Sequence, residues 1–119
     1  MMNTTGEFCT SLTATLFKMT GLNRFPMTIV CHNKERRRWF EQSKMIQPWW
    51  RPVRALDRQT FAAEMLFNGA AEQNFPRKMP ADAWFDFKGC DRFEVEEQSF
   101  LLPNDEVMTV LKLPDEAVA

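Results

Sequence analysis

Met27-Thr28-Ile29-Val30-Cys31-His32-Asn33-Lys34-Glu35-Arg36-Arg37-Arg38-Trp39-Phe40-Glu41-Gln42 is the stretch whose reading decides the architecture of this chain. Its first half follows Pro26 and carries the β-branched residues of a half-buried strand. Asn33-Lys34-Glu35 then allows two continuations. It can turn the chain back into a second strand, Arg36 to Gln42, or Asn33 can cap a helix running to Gln47. Strand geometry sets Arg36, Arg38 and Phe40 on one face and Arg37, Trp39 and Glu41 on the other. Helix geometry sets Arg36, Phe40 and Lys44 on one side, with Trp39 and Ile46 on another. The short preceding strand and the polar turn favour the hairpin.

Working outward, residues 32–58 hold three of the four tryptophans and eight of the fifteen basic residues against three acids, a net charge of +5. Cations interleaved with flat aromatics suit a polyanion or an acidic partner. The candidate binding residues are Arg36, Arg37, Arg38, Trp39, Trp49, Trp50, Arg51 and Arg54. Pro48 and Pro52 bracket Trp49 and Trp50 and exclude a continuous helix there. Adjacent residues of an extended segment face opposite ways. One tryptophan can therefore anchor the arm while the other points outward.

Residues 80–119 carry ten acids against three bases, a net of −7, within a total of −1. The basic middle and the acidic end either neutralise each other across the fold or between subunits, or present separate contact surfaces.

On both sides of the basic stretch the pattern is helical or alternating. Asp57 is placed to cap a helix over 58–73, with Phe61, Met65 and Leu66 on one face, widened by Ala62 and Gly69. Within the N-terminal segment 1–24, Thr4 and Glu7 have capping-box spacing and Phe8, Leu12, Leu16 and Met19 form a stripe ending at Gly21. Asn74 to Pro80 reads as a proline-bounded connector. From Trp84 to Leu113 alternation and two turns, Lys88-Gly89-Cys90-Asp91 and Pro103-Asn104-Asp105-Glu106, read as an antiparallel meander of about three strands. Phe93 and Val95 point inward there, and Glu94 and Glu96 outward. Pro114 ends the meander, and the last five residues are expected to fray.

The 119 residues, 45% hydrophobic and 26% charged, fit one globular domain spanning 1–119. Three cysteines without a close pair indicate a reducing compartment rather than a disulfide framework. The uncharged run Phe8 to Phe17 is ten residues, too short for a span of about twenty. No basic segment precedes it and no small-residue cleavage site follows. These features point to the cytoplasm and away from a membrane.

Chemistry is sparse. The single histidine, His32, is the neighbour of Cys31, and neighbours on a strand point apart, which disfavours a dyad. A zinc site would draw on Cys9, Cys31, His32 and Cys90, but no metal-ligand pair spacing is present. Asp82, Asp86-Phe87-Lys88 and Glu94-Val95-Glu96 resemble the acid-x-Lys arrangement of metal-dependent nucleases, a short pattern that a solvated sheet face also produces. Four glycines form no phosphate loop. The expectation is thus a small α+β domain: a meander at 84–113, one packed helix at 58–73 and an N-terminal helix. Its expected role is non-enzymatic, a regulator or inhibitor that binds another protein and needs no cofactor. Nucleic-acid binding by the same basic stretch is the alternative, and a metal-dependent nuclease a third reading.

Overall fold

Asn33 turns the chain back. Its side-chain oxygen accepts from the amides of Glu35 and Arg36, each at 2.8 Å, and its own amide donates to the Arg36 carbonyl. The computed structural model, which describes residues 25–72 and 75–118, therefore has a hairpin here, β1 (Met27–Asn33) with β2 (Arg37–Gln42). A β-bulge interrupts the pair. Cys31 opposes Trp39 but His32 opposes Arg37, which leaves Arg38 as the extra residue. A bulge re-aims the side chains beyond it. Arg37 consequently shares the Phe40 side, with its guanidinium 4.8 Å from that ring, rather than the Trp39 side that unbroken alternation requires.

The sheet has five strands in the order β2-β1-β5-β4-β3, all neighbours antiparallel. Its remaining members are β3 (Arg77–Pro80), β4 (Glu94–Leu102) and β5 (Glu106–Lys112). The turn before β5 uses left-handed Asn104 and Asp105, with φ of 65° and 58°, residue types that tolerate that region. Two expectations fail here. The expected three strands are five, and Trp84 to Lys88 is not one of them. Trp84 and Phe85 are adjacent and both buried, which a half-buried strand forbids. They follow a 3₁₀ turn, Ala81–Ala83, and the third strand comes instead from the connector before it. Nor is the C-terminus frayed at 115–118. Asp115–Ala117 form a 3₁₀ turn, Ala117 is buried, and Val118 bridges to Ile46.

Among the described residues there is one α-helix, α1 (Phe61–Asn68), shorter at both ends than the expected 58–73. Asp57 is not its cap. The Asp57 carboxylate accepts from the Gln59 amide, its carbonyl accepts from the Thr60 amide, and Thr60 becomes the N-cap. At the other end Gly69 adopts φ 70° and closes the helix onto the Glu64 carbonyl. Gly69 is therefore an exposed terminus and not part of the apolar face. That face is Ala62, Ala63, Met65 and Leu66, with Phe61 only half-buried. The helix expected within residues 1–24, and Cys9 with it, lies outside the described residues.

All four amides at the start of α1 are satisfied. Thr60 donates to Asp57, Ala63 donates to the Thr60 hydroxyl at 3.1 Å, and Phe61 and Ala62 donate to the carboxylate of Glu97 at 3.3 and 2.8 Å. Glu97 lies on β4 and is 0% exposed. It also accepts from Trp84 Nε1 at 3.0 Å and from the Ser99 hydroxyl at 2.9 Å, and Ser99 in turn meets Thr109 of β5 at 2.7 Å. Around this polar centre pack Val30, Leu66, Met79, Phe85, Val95 and Leu111. The opposite face of the sheet carries a second cluster, Ile29, Cys31, Leu102 and Met108, against which Trp39 and Phe100 pack. β1 is thus buried on both faces, with Cys31 on one and His32 on the other.

Two buried groups titrate with opposite consequences. Burial raises the Glu97 carboxyl above its ordinary 4.5, outweighing the donors from Trp84, Ala62, Ser99 and Phe61. The folded protein holds that proton more tightly than the unfolded chain. The resulting stability is complete below pH 4.5 and is lost as pH rises through the raised folded value. His32 is lowered from 6.5, mainly by burial, with the Val53 hydrogen bond opposing and the charge of Arg37 adding to it. Its stability is complete above pH 6.5 and is lost as pH falls through the lowered folded value. Denaturant unfolding across this range separates the two. Glu97→Gln removes the loss on the alkaline side of 4.5 and costs about 1–3 kcal/mol, because an amide nitrogen then faces hydrogen-bond donors. His32→Gln removes the loss on the acidic side of 6.5. Variants that keep the wild-type pH profile would overturn both assignments.

Candidate binding surface around the paired tryptophans

The segment Trp50-Arg51-Pro52-Val53-Arg54 runs as a strap beside β2, tied down almost residue by residue. The Trp50 carbonyl accepts from Gln42 Nε2, the Pro52 carbonyl from Arg37 Nη1, and the Arg54 carbonyl from the Arg37 amide. Val53 donates its amide to the Trp84 carbonyl at 2.9 Å and accepts at its own carbonyl from His32 Nε2 at 2.9 Å. A carbonyl can only accept, so Nε2 carries the imidazole proton. Pro52 also bridges Phe85. Proline suits this position, since it fixes φ and has no amide to satisfy.

The strap divides the two tryptophans. Trp50 is 1% exposed and Trp49 is 53% exposed. The Trp50 ring lies 5.1 Å from Phe85, 4.7 Å from Phe87 and 5.5 Å from Phe93, in edge or tilted contacts that aromatic quadrupoles favour. Trp49 instead lines an open cleft of about 360 Å³ with Trp50, Phe87 and Phe93; Gln47, Lys88, Arg92 and Glu116 complete the lining. Arg92 lies 5.7 Å over the Phe93 ring and donates from Nε to the Gly89 carbonyl. Gly89 has φ +87°, and a Cβ there would come within 3.1 Å of Arg92 Nη2. The glycine therefore both makes the turn and admits the guanidinium.

The candidate residues named from the sequence do not form one site. Trp49 and Trp50 meet at the cleft. Arg37 meets the backbone of the strap that carries Arg51 and Arg54, both of them exposed. Arg37 is lowered from its ordinary value by burial first, then by the charges of Arg51 and Arg54. Arg38 instead pairs with Glu106 at 3.4 Å. Arg36 is exposed at the hairpin turn, and Trp39 packs into the second apolar cluster. Phe87, Lys88, Arg92 and Phe93 were absent from the candidates. Their signal was the same alternation of aromatics and cations, diluted in this part of the chain by Asp86 and Asp91.

His32, Cys31 and Cys90 do not line the cleft. His32 is buried with Nδ1 unpartnered among the described residues, and Cys90 donates to the Phe85 carbonyl. Among the described residues no group of three or more His, Cys, Asp or Glu side chains converges to hold a metal. No described helix is long and apolar enough to cross a membrane. No protein-family model, curated protein or solved structure matches the chain.

The division of the tryptophans is measurable without knowing a ligand. Trp50→Ala, which empties the four-ring cluster, is expected to cost about 3–5 kcal/mol of stability. Trp49→Ala is expected to stay within about 0.5 kcal/mol of the parent. Chemical denaturation of both variants checks this, and equal losses would mean that Trp49 is a core residue.

Proposed function

We propose that this chain is a small non-enzymatic interaction protein that regulates or inhibits an acidic partner protein. The carrying observation is the exposed Trp49, held beside a cleft floored by rings that also serve the core. Tryptophan and arginine dominate binding hot spots because they bury much area at little conformational cost. Here that cost is lower still. The strap is already ordered by its hydrogen bonds and prolines, so little freedom is lost on association. The partner chemistry follows from the lining: an apolar or aromatic side chain fills the aromatic cleft, and adjacent carboxylates meet Lys88 and Arg92.

The test is capture from lysate of the source cells by immobilised wild-type and Trp49→Ala protein, with and without nuclease, followed by affinity measurement on the captured species. A protein ligand that survives nuclease and loses about 2 kcal/mol of affinity on Trp49→Ala supports the assignment. Equal binding by both proteins removes the cleft from the interface. Capture that vanishes with nuclease replaces a protein partner with nucleic acid.

A further inference from the structure

We propose that His32 is an acid-sensitive latch: protonation of its imidazole releases strap residues 52–54 from the sheet, while the sheet itself and the Trp50 anchor stay folded. The inference goes beyond the reading given above and needs no partner to be tested.

The imidazole is fully buried beneath the strap. Its Nε2–H is spent on the Val53 carbonyl at 2.9 Å, and Nδ1 has no hydrogen-bond partner among the described residues. While the ring is neutral, only a lone pair goes unsatisfied. An added proton must sit on Nδ1, which puts a second N–H and a full charge where no acceptor is in reach. Both are costly when buried. The groups packed on the ring supply no counter-charge. β5 sets Val107 opposite His32, the Trp84 ring lies 5.8 Å away, and the strap brings the Val53 carbonyl. β2 brings a cation, Arg37, paired with His32 across the bulge and donating to the Pro52 carbonyl. Burial holds the ring below its ordinary proton affinity, and the Arg37 charge adds to this. Arg51 and Arg54 are exposed cations of the strap. The buried acid Glu97 reaches the indole N–H of Trp84, and its protonation stabilises the fold as pH falls, which opposes release.

Relief requires the imidazolium to reach water, and the strap yields before β1 does. β1 is paired along both edges, with β2 and with β5. Residues 52–54 are held instead by separate bonds to Arg37, Trp84 and His32 and by the isolated bridge of Pro52 to Phe85. A segment tied in this way opens at less cost than a strand in the middle of a sheet. Trp50 keeps its place, because Phe85, Phe87 and Phe93 hold its ring. The opened state exposes the imidazolium and frees the Arg37 donors that the strap carbonyls occupy at neutral pH. Acid therefore adds cationic donors to this face of the protein.

Heteronuclear NMR of the full chain, titrated from neutral into acidic solution, tests the latch. The signals followed are the His32 ring, the Val53 amide, the Trp50 indole N–H and the Thr109 amide in β5. The Val53 amide and the imidazole are expected to share one midpoint, below 6.5, at which the Trp50 and Thr109 signals remain native. His32→Gln keeps a donor for the Val53 carbonyl and takes up no proton, so its Val53 signal is expected to stay native across the titration. Should that variant not fold, the two wild-type midpoints decide alone. A Val53 midpoint that differs from that of the imidazole overturns the latch. So does loss of Thr109 in the same step as Val53, which is unfolding of the whole domain, and so does a Val53 transition that persists in His32→Gln.

Discussion

A carboxylate with no cation beside it holds this fold together. Glu97 is fully buried on β4, and isolated charge is costly in such a place. Four donors offset part of that cost, two of them amides at the positive end of α1. The dependence runs both ways. An eight-residue helix is too short to persist by its own hydrogen bonds, so α1 needs the anchor as much as the anchor needs its amides. Through Ser99 the same carboxylate reaches Thr109 of β5, and through the indole N–H it fixes Trp84.

Trp84 carries that constraint to the surface. Its carbonyl holds Val53, and the next residue, Phe85, bridges Pro52 and packs against Trp50. The strap that presents Trp49 and the arginines is thus joined to the core by two adjacent residues. Residues supported in this way are stiff, and on the proposed reading that stiffness lets a small surface bind without a large ordering cost. The bulge in β2 is the second device. Without its extra residue Arg37 would face the Trp39 side of the sheet, away from the strap carbonyls it now holds.

His32 illustrates how a residue with catalytic potential can be used structurally. It is the only imidazole in the chain, yet its Nε2–H is committed to the Val53 carbonyl and the ring lies 5.8 Å from Trp84 inside the core. Its role is to hold the strap from below. Arg37 clamps the same strap at Pro52 and Arg54, so two residues paired across the bulge hold three consecutive strap residues.

Local pattern was enough for the parts of the fold made by local rules. Alternation and turn residues marked β1, β4 and β5, because strand period and turn chemistry are written in neighbouring residues, whereas β2 was only favoured over a helix capped by Asn33. The helix around Met65 and Leu66 was legible for the same reason. Its ends were not, because Asp57 and Thr60 compete for the cap and the tertiary donor set selects between them. Burial of Glu97 had a trace in the sequence: the period that turns Val95 inward continues through Glu97 to Ser99. Whether an inward glutamate is tolerable depends on donors from α1 and Trp84, which lie far away in the chain. The strand at 77–80 has four residues and no alternating pattern of its own, and it exists because β4 offers an edge to pair with. For the paired tryptophans, the sequence by itself determined that two rings stand side by side between prolines where no continuous helix can run. Only the tertiary structure decided that Trp50 goes in and Trp49 out, because Phe85, Phe87 and Phe93 are brought under one of them by contacts long in sequence.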